Sequence, residues 1–246
     1  MKKRIFLTAL ALILVCALSI MGTVAFLKDQ TKTVTNTFVA AGGGKLIDED
    51  EGGALTLEEH MATKIMDEND KWTGKYEIKP DATTTKAFSY DIMPGTVVHK
   101  DPYVTITKKT ATPAYLYIEV INDLSFSTKV ANDEGELEET LVIDPANWLQ
   151  IKDKATDGRD IYVYTTDGEN PAIVTSDLNA INIIQNKKFT VNKDTDPATI
   201  AENGETLKFQ AFLAQASVGE ETGAEAVFDA CFSTVAAPTP DPDPAP

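Results

Sequence analysis

The amino-acid sequence predicts a mainly β protein, an antiparallel β-sandwich with one or two short helices. Three observations predict it. From Lys71 onward, short runs alternate polar and apolar residues, the pattern of half-buried strands. Turn-forming pairs such as Pro94-Gly95 and Asp167-Gly168 separate those runs at short intervals. No βαβ rhythm and no glycine-rich phosphate loop interrupts them, which argues against a nucleotide enzyme.

The chain opens on Met1-Lys2-Lys3-Arg4, and no charged residue follows from Ile5 to Leu27. A basic start, an apolar run and small residues ending at Ala25 form a secretory signal, with cleavage expected between Ala25 and Phe26. The alternative is an uncleaved anchor, because the run is long enough to span a bilayer. A lipoprotein reading is weaker, since the bulky Val15 precedes Cys16. The next stretch, Thr31 to Val39, reads as a strand. Gly42-Gly43-Gly44 is a flexible break after it. Leu55 to Met66 has a helical look: Leu57, Met61 and Ile65 recur at intervals of four, and Thr56 with Glu59 matches a capping box.

Alternation then takes over in Lys75–Lys79 and Ala87–Ile92. Met93-Pro94-Gly95-Thr96 is a turn, because Pro fixes φ and Gly permits positive φ. Tyr103–Thr107 and Ala114–Val120 are rich in β-branched and aromatic residues, and the connection between them has hairpin length. Trp148–Ile151 and Ile161–Thr165 read as a second hairpin. Asn182–Val191 reads as one strand. In Thr206–Gln215, Leu207, Phe209, Ala211 and Leu213 share a face. Residues 224–232 fit a short helix or a last strand. Pro at every second position from Pro238 to Pro246 marks an extended tail, so the sandwich is expected over residues 42–236 and the tail over 237–246.

The full chain carries 22 basic and 38 acidic side chains. The leader holds three of the basic ones and no acidic one, leaving the rest of the chain at −19. That charge repels nucleic acid and anionic lipid, so neither is an expected partner, and membrane contact is expected only through an uncleaved leader. Loss of Cys16 with the leader leaves Cys231 alone, so no internal disulfide can form.

No catalytic constellation emerges, and an enzyme is not expected. The two histidines, His60 and His99, form no His-Glu-x-x-His motif. No Ser-His-Asp set stands out. The best cation candidate is Asn192, Asp194 and Asp196, whose oxygen ligands at alternate positions resemble the first half of a Ca²⁺ loop. Pro197 stands where that loop needs Gly, and Asn203 where it needs Glu, so a plain loop is the preferred reading and no cofactor is expected.

Four stretches together resemble the TasA/camelysin family, exported proteins of Gram-positive bacteria that a SipW-type signal peptidase processes. They are Gly22-Thr23-Val24-Ala25-Phe26 with the strand running to Phe38; Ile92 to Val104, with its Pro-Gly turn leading into Lys100-Asp101; Thr112 to Val120; and Phe209 to Ala216 with Ala224-Glu225-Ala226. The chain departs from the family pattern from Asp123 to Asn182. The resemblance implies a jelly-roll sandwich that assembles into biofilm matrix fibres, its partners being copies of itself or related matrix subunits. It implies that residues 26–41 form a donor strand inserted into the sheet of the next subunit, with Phe26, Leu27, Val34, Phe38 and Val39 as apolar contacts. Gly42, Gly43 and Gly44 would be the hinge. Camelysin-like cell-surface metalloendopeptidase activity is a rival implication, and the missing zinc motif counts against it. A surface adhesion or binding module, extracellular or at the cell surface, is a third reading.

Exported protein is expected to begin at Phe26. A terminal-peptide mass spectrum of secreted material checks this, and any other first residue refutes the proposed cleavage site.

Overall fold

A computed structural model describes residues 28–30, 55–85, 90–107, 110, 112–196, 207–217 and 219–232. The leader, the predicted strand Thr31–Val39, the hinge glycines and the tail lie outside the described residues. So do Ala25, Phe26, Leu27, Val34, Phe38 and Val39.

The architecture is an antiparallel β-sandwich with two short α-helices. Its first seven strands are β1 (Lys28–Gln30), β2 (Leu55–His60), β3 (Ala62–Met66), β4 (Trp72–Ile78), β5 (Thr84–Thr85), β6 (Val97–His99) and β7 (Tyr103–Ile106). Then come β8 (Ala114–Asn122), β9 (Lys129–Ala131), β10 (Leu137–Glu139), β11 (Trp148–Lys152), β12 (Asp160–Tyr164), β13 (Leu178–Asn182), β14 (Lys188–Thr190) and β15 (Leu207–Gln215). Helix α1 (Lys154–Asp157) is a single turn, and α2 (Ala224–Phe232) closes the described chain.

The main sheet has the order β1-β15-β8-β12-β11, and the sheet facing it β13-β7-β2-β5. A third, β14-β6-β4-β3, contains the one parallel pairing among the described ladders, Lys75 with Val97. Strands β9 and β10 form a separate hairpin. Leu116, Ile118, Phe209, Ala211 and Leu213 of the main sheet pack against Leu55, Leu57, Val104 and Ile106 of the facing sheet. The single face predicted for β15 is therefore the core face, with Leu207 at its margin.

The opposite face of the main sheet is also covered. Helix α2 lies there, and Val227, Phe228, Cys231 and Phe232 pack on Tyr115, Tyr117, Ile161, Val163 and Phe212. Tyr117 Oη donates to the Ala224 carbonyl at 2.8 Å, and Tyr115 Oη to that of Thr222 at 3.1 Å. Burial raises the Tyr117 phenol well above its ordinary range and keeps it a neutral donor. At the other end, Arg159 forks onto Glu119, Nε to Oε1 at 2.7 Å and Nη2 to Oε2 at 2.6 Å. Its Nη1 also donates to the Phe232 carbonyl at 3.4 Å, and its guanidinium lies over the rings of Phe228 and Phe212. Lys152 reaches Asp229 at 2.9 Å and Glu225 at 3.4 Å, adding a second clamp from β11.

Four sequence expectations require correction. Leu55–Met66 is not a helix but two strands, β2 and β3, broken at Met61. A four-residue recurrence is also two strand repeats, so it does not exclude a strand. In β2, Leu55, Leu57 and Glu59 all face inward, and the charge on Glu59 hid the alternation. Secondly, β7 and β8 are not a hairpin: β7 pairs with β2 and β13, whereas β8 pairs with β12 and β15. The connection passes between sheets, which local length does not reveal.

Thirdly, Asn182–Val191 is two strands in different sheets. Asn186 (φ 58°) and Lys187 (φ 54°) adopt left-handed backbone and redirect the chain from β13 to β14. Fourthly, Tyr90–Ile92 form no strand, the rest of the predicted Ala87–Ile92 strand lying outside the described residues. The second hairpin, β11 with β12, forms as expected, and residues 224–232 resolve as helix. At the predicted turn, Gly95 has φ 82° and Thr96 N–H donates to the Met93 carbonyl at 3.0 Å, the type II pattern.

Replacing Arg159 strands a buried carboxylate. Arg159→Met is expected to cost about 3–5 kcal/mol in urea unfolding, and adding Glu119→Met to recover most of that loss. A double variant no more stable than the single would refute the pairing as the cause.

Candidate functional site

Two features are built from residues singled out in the sequence. One is the outer edge of β15. Strand β1 lies on it antiparallel, with Lys28 opposite Ala214, Asp29 opposite Leu213 and Gln30 opposite Phe212. Pairing with β8 engages all of β15, from Leu207 to Gln215. On the other side, among the described residues, β1 pairs with Phe212, Leu213 and Ala214. A strand on the flank of a sheet offers its N–H and C=O groups to whichever extended segment lies beside it. Twenty-four residues separate β1 from β2.

The second feature is a charged cluster at the end of β2. Alternation turns Glu59 inward and His60 outward. The segment Lys100-Asp101-Pro102, between β6 and β7, meets both. Lys100 Nζ donates to Glu59 Oε2 at 2.6 Å, with the two residues only 8% and 3% exposed. Asp101 Oδ1 accepts the His60 backbone N–H at 2.9 Å, and its Oδ2 lies 2.8 Å from His60 Nδ1. The His60 ring is 5.3 Å from that of Tyr103. Tyr90 lies beneath Lys100, with its ring centroid 5.7 Å from Nζ, and donates through Oη to the His99 carbonyl at 2.8 Å. Burial first, then the Glu59 and Asp101 carboxylates, raise the Tyr90 phenol far above its ordinary range.

Glu59 Oε1 is buried and has no hydrogen-bond partner among the described residues. A small recess adjoins it, lined by Leu57, Glu58, Glu59, Lys100, Pro102 and Phe209. Sequence reasoning missed this pairing. The Lys100-Asp101 motif was visible, but Glu59 was assigned to a helix cap, and its inward aim depends on β2 being a strand.

His99 sits opposite Lys188 in the β6–β14 ladder. Desolvation, and secondly the Lys188 charge, depress its pKa below 6.5. The Ca²⁺ candidate is used internally: Asn192 Oδ1 accepts the Asp194 N–H at 2.7 Å, and Asn192 Nδ2 donates to the Lys129 carbonyl at 2.8 Å. The first of these bonds makes an Asx turn. Among the described residues no three His, Cys, Asp or Glu side chains converge as a metal-holding group. Asp167 closes its predicted turn by accepting the backbone N–H groups of Glu169 and Asn170. Its carboxyl is held far below the ordinary range, first by the Asn170 side chain and then by those amides. Among the described residues no helix is long and apolar enough to cross a membrane.

Comparison with known protein families, with characterised proteins and with solved structures finds no match to this chain.

The depressed pKa of His99 has a definite sign. The unfolded chain takes up a proton near 6.5 that the folded chain refuses until lower pH. Stability from this group is therefore present above 6.5 and lost as pH falls toward the folded value. Urea midpoints measured from about pH 7.5 to about 5 are expected to fall less steeply for His99→Gln than for the parent. Identical slopes would refute the role of His99.

Proposed function

We propose that this chain is an exported structural protein of the extracellular, biofilm-type matrix that assembles by strand addition from its N-terminal segment. One observation carries the proposal: the strand beside β15, a long strand of the main sheet, comes from the N-terminal segment, Lys28–Gln30 lying antiparallel to Phe212–Ala214. A pairing made within one chain, at the end of a long connection, can be made equally with a neighbour's sheet. That is the logic of strand exchange. The 24-residue connection supports it, because an extended chain of that length reaches roughly 80 Å. Gly42, Gly43 and Gly44 lie within it and permit the reversal needed to leave the parent domain.

The energetic argument concerns the edge. Main-chain hydrogen bonds along β15 supply affinity without regard to sequence, and alternate side chains set register. Phe209, Ala211 and Leu213 already fill the core face, so an incoming strand completes an existing core. Net charge acts against this. A strongly acidic chain repels its own copies, and salt or mild acid lowers that repulsion.

Protein beginning at Phe26 is expected to form filaments visible by electron microscopy, at higher yield in high salt. Deleting residues 26–41 is expected to abolish them and leave a folded monomer. Filaments of unchanged length and abundance from the deleted protein would refute the donor role.

A further inference from the structure

The buried pair of Glu59 and Lys100 has a geometry that an ordinary ion pair leaves unexplained. Both residues are at least nine-tenths buried, and Nζ stands 2.6 Å from Oε2. A buried ion pair is tolerated when hydrogen bonds satisfy the remaining lone pairs. Here Oε1 has no partner among the described residues, so half of the carboxylate is desolvated without compensation. Apolar groups adjoin the pair: Leu57, Pro102 and Phe209 line the recess together with Glu58, and the Tyr90 ring lies under the amine.

We propose that Glu59 and Lys100 are the two halves of an intramolecular amide, a cross-link between the Glu59 side-chain carboxyl and the Lys100 side-chain nitrogen. A proton passes from Nζ to the carboxylate, which leaves an amine beside a carboxylic acid. The amine lone pair attacks Cδ. A nitrogen–carbon bond forms, and one carbon–oxygen bond breaks. The departing oxygen leaves as water with two of the three ammonium protons, and the amide nitrogen keeps the third.

No oxidant or co-reactant is consumed, and two charges disappear from the interior. Fixed approach replaces chance encounter, and effective molarities in such arrangements reach on the order of 10⁵ M or more. The recess lies beside the pair, where the water is released. The bond would join β2 to the segment before β7, closing a covalent loop in a chain with no disulfide among its described residues. This inference does not rest on fibre assembly.

Denatured full-length protein, digested to completion with trypsin, supplies the test. The expected product is a branched peptide joining the Glu59 segment to the Lys100 segment, lighter than the two by one water, with cleavage after Lys100 blocked. Fragmentation is expected to place the link on Glu59. Lys100→Arg keeps a cation in the pair but forms no such amide, and is expected to give two linear peptides. Only linear peptides from the parent protein would overturn the proposal. So would a link on Glu58, or a branched product that persists in Lys100→Arg.

Discussion

The structure depends on β8 being buried on both faces. One side of this strand faces the other sheet through Leu116, Ile118 and Val120; the other carries Tyr115 and Tyr117 beneath helix α2. Each large apolar side chain buried this way contributes roughly 1.5–3 kcal/mol. Because β8 is flanked by β15 and β12, it also supplies ladder hydrogen bonds to both neighbours. The fold is therefore layered as helix, sheet and sheet, with β8 common to both interfaces. The Tyr117 hydroxyl shows the constraint well: it lies in an apolar layer and is matched to the Ala224 carbonyl at the start of α2.

Among the described residues, buried charge gathers in two places, and each has a different solution. Glu119 projects to the helix side of β8, where the planar fork of Arg159 matches it at both oxygens. That guanidinium also covers two phenylalanine rings and reaches the last carbonyl of α2, so one side chain joins strand, helix and helix end. Glu59 has a single-point partner in Lys100 and one oxygen left over. The contrast is chemical. Arginine presents several donors in a fixed plane, whereas lysine presents a compact ammonium that can also become a nucleophile.

Much of the fold was legible where local pattern and tertiary role coincide. The alternation in Leu207–Gln215 identified a core face because β15 is amphipathic on the scale of single residues. The Pro94-Gly95 turn was legible because its φ values are dictated by residue type. Elsewhere the pattern was ambiguous or misleading. Glu59 interrupted the alternation of β2, and the spacing of Leu57, Met61 and Ile65 suited a helix as well as a strand. Asn182–Val191 looked continuous because its apolar residues do not reveal the left-handed turn at Asn186 and Lys187. Of the charged cluster, Lys100-Asp101 was visible as a motif, but its partner 41 residues earlier was not.

The sequence alone determined the β class, the turns, the acidic balance and the presence of an apolar leader-like run, because these follow from residue type and short-range spacing. Tertiary structure decided which strands became neighbours. Lys108–Pro113 has the length of a hairpin loop, yet β7 and β8 belong to different sheets, because burying two apolar faces against each other outweighs pairing with the nearest strand in the chain. The placement of α2 over Tyr117, the fork of Arg159 on Glu119 and the meeting of Glu59 with Lys100 follow from the same cause. Each joins segments at least 40 residues apart in the chain, and only the packed sheets bring them within reach.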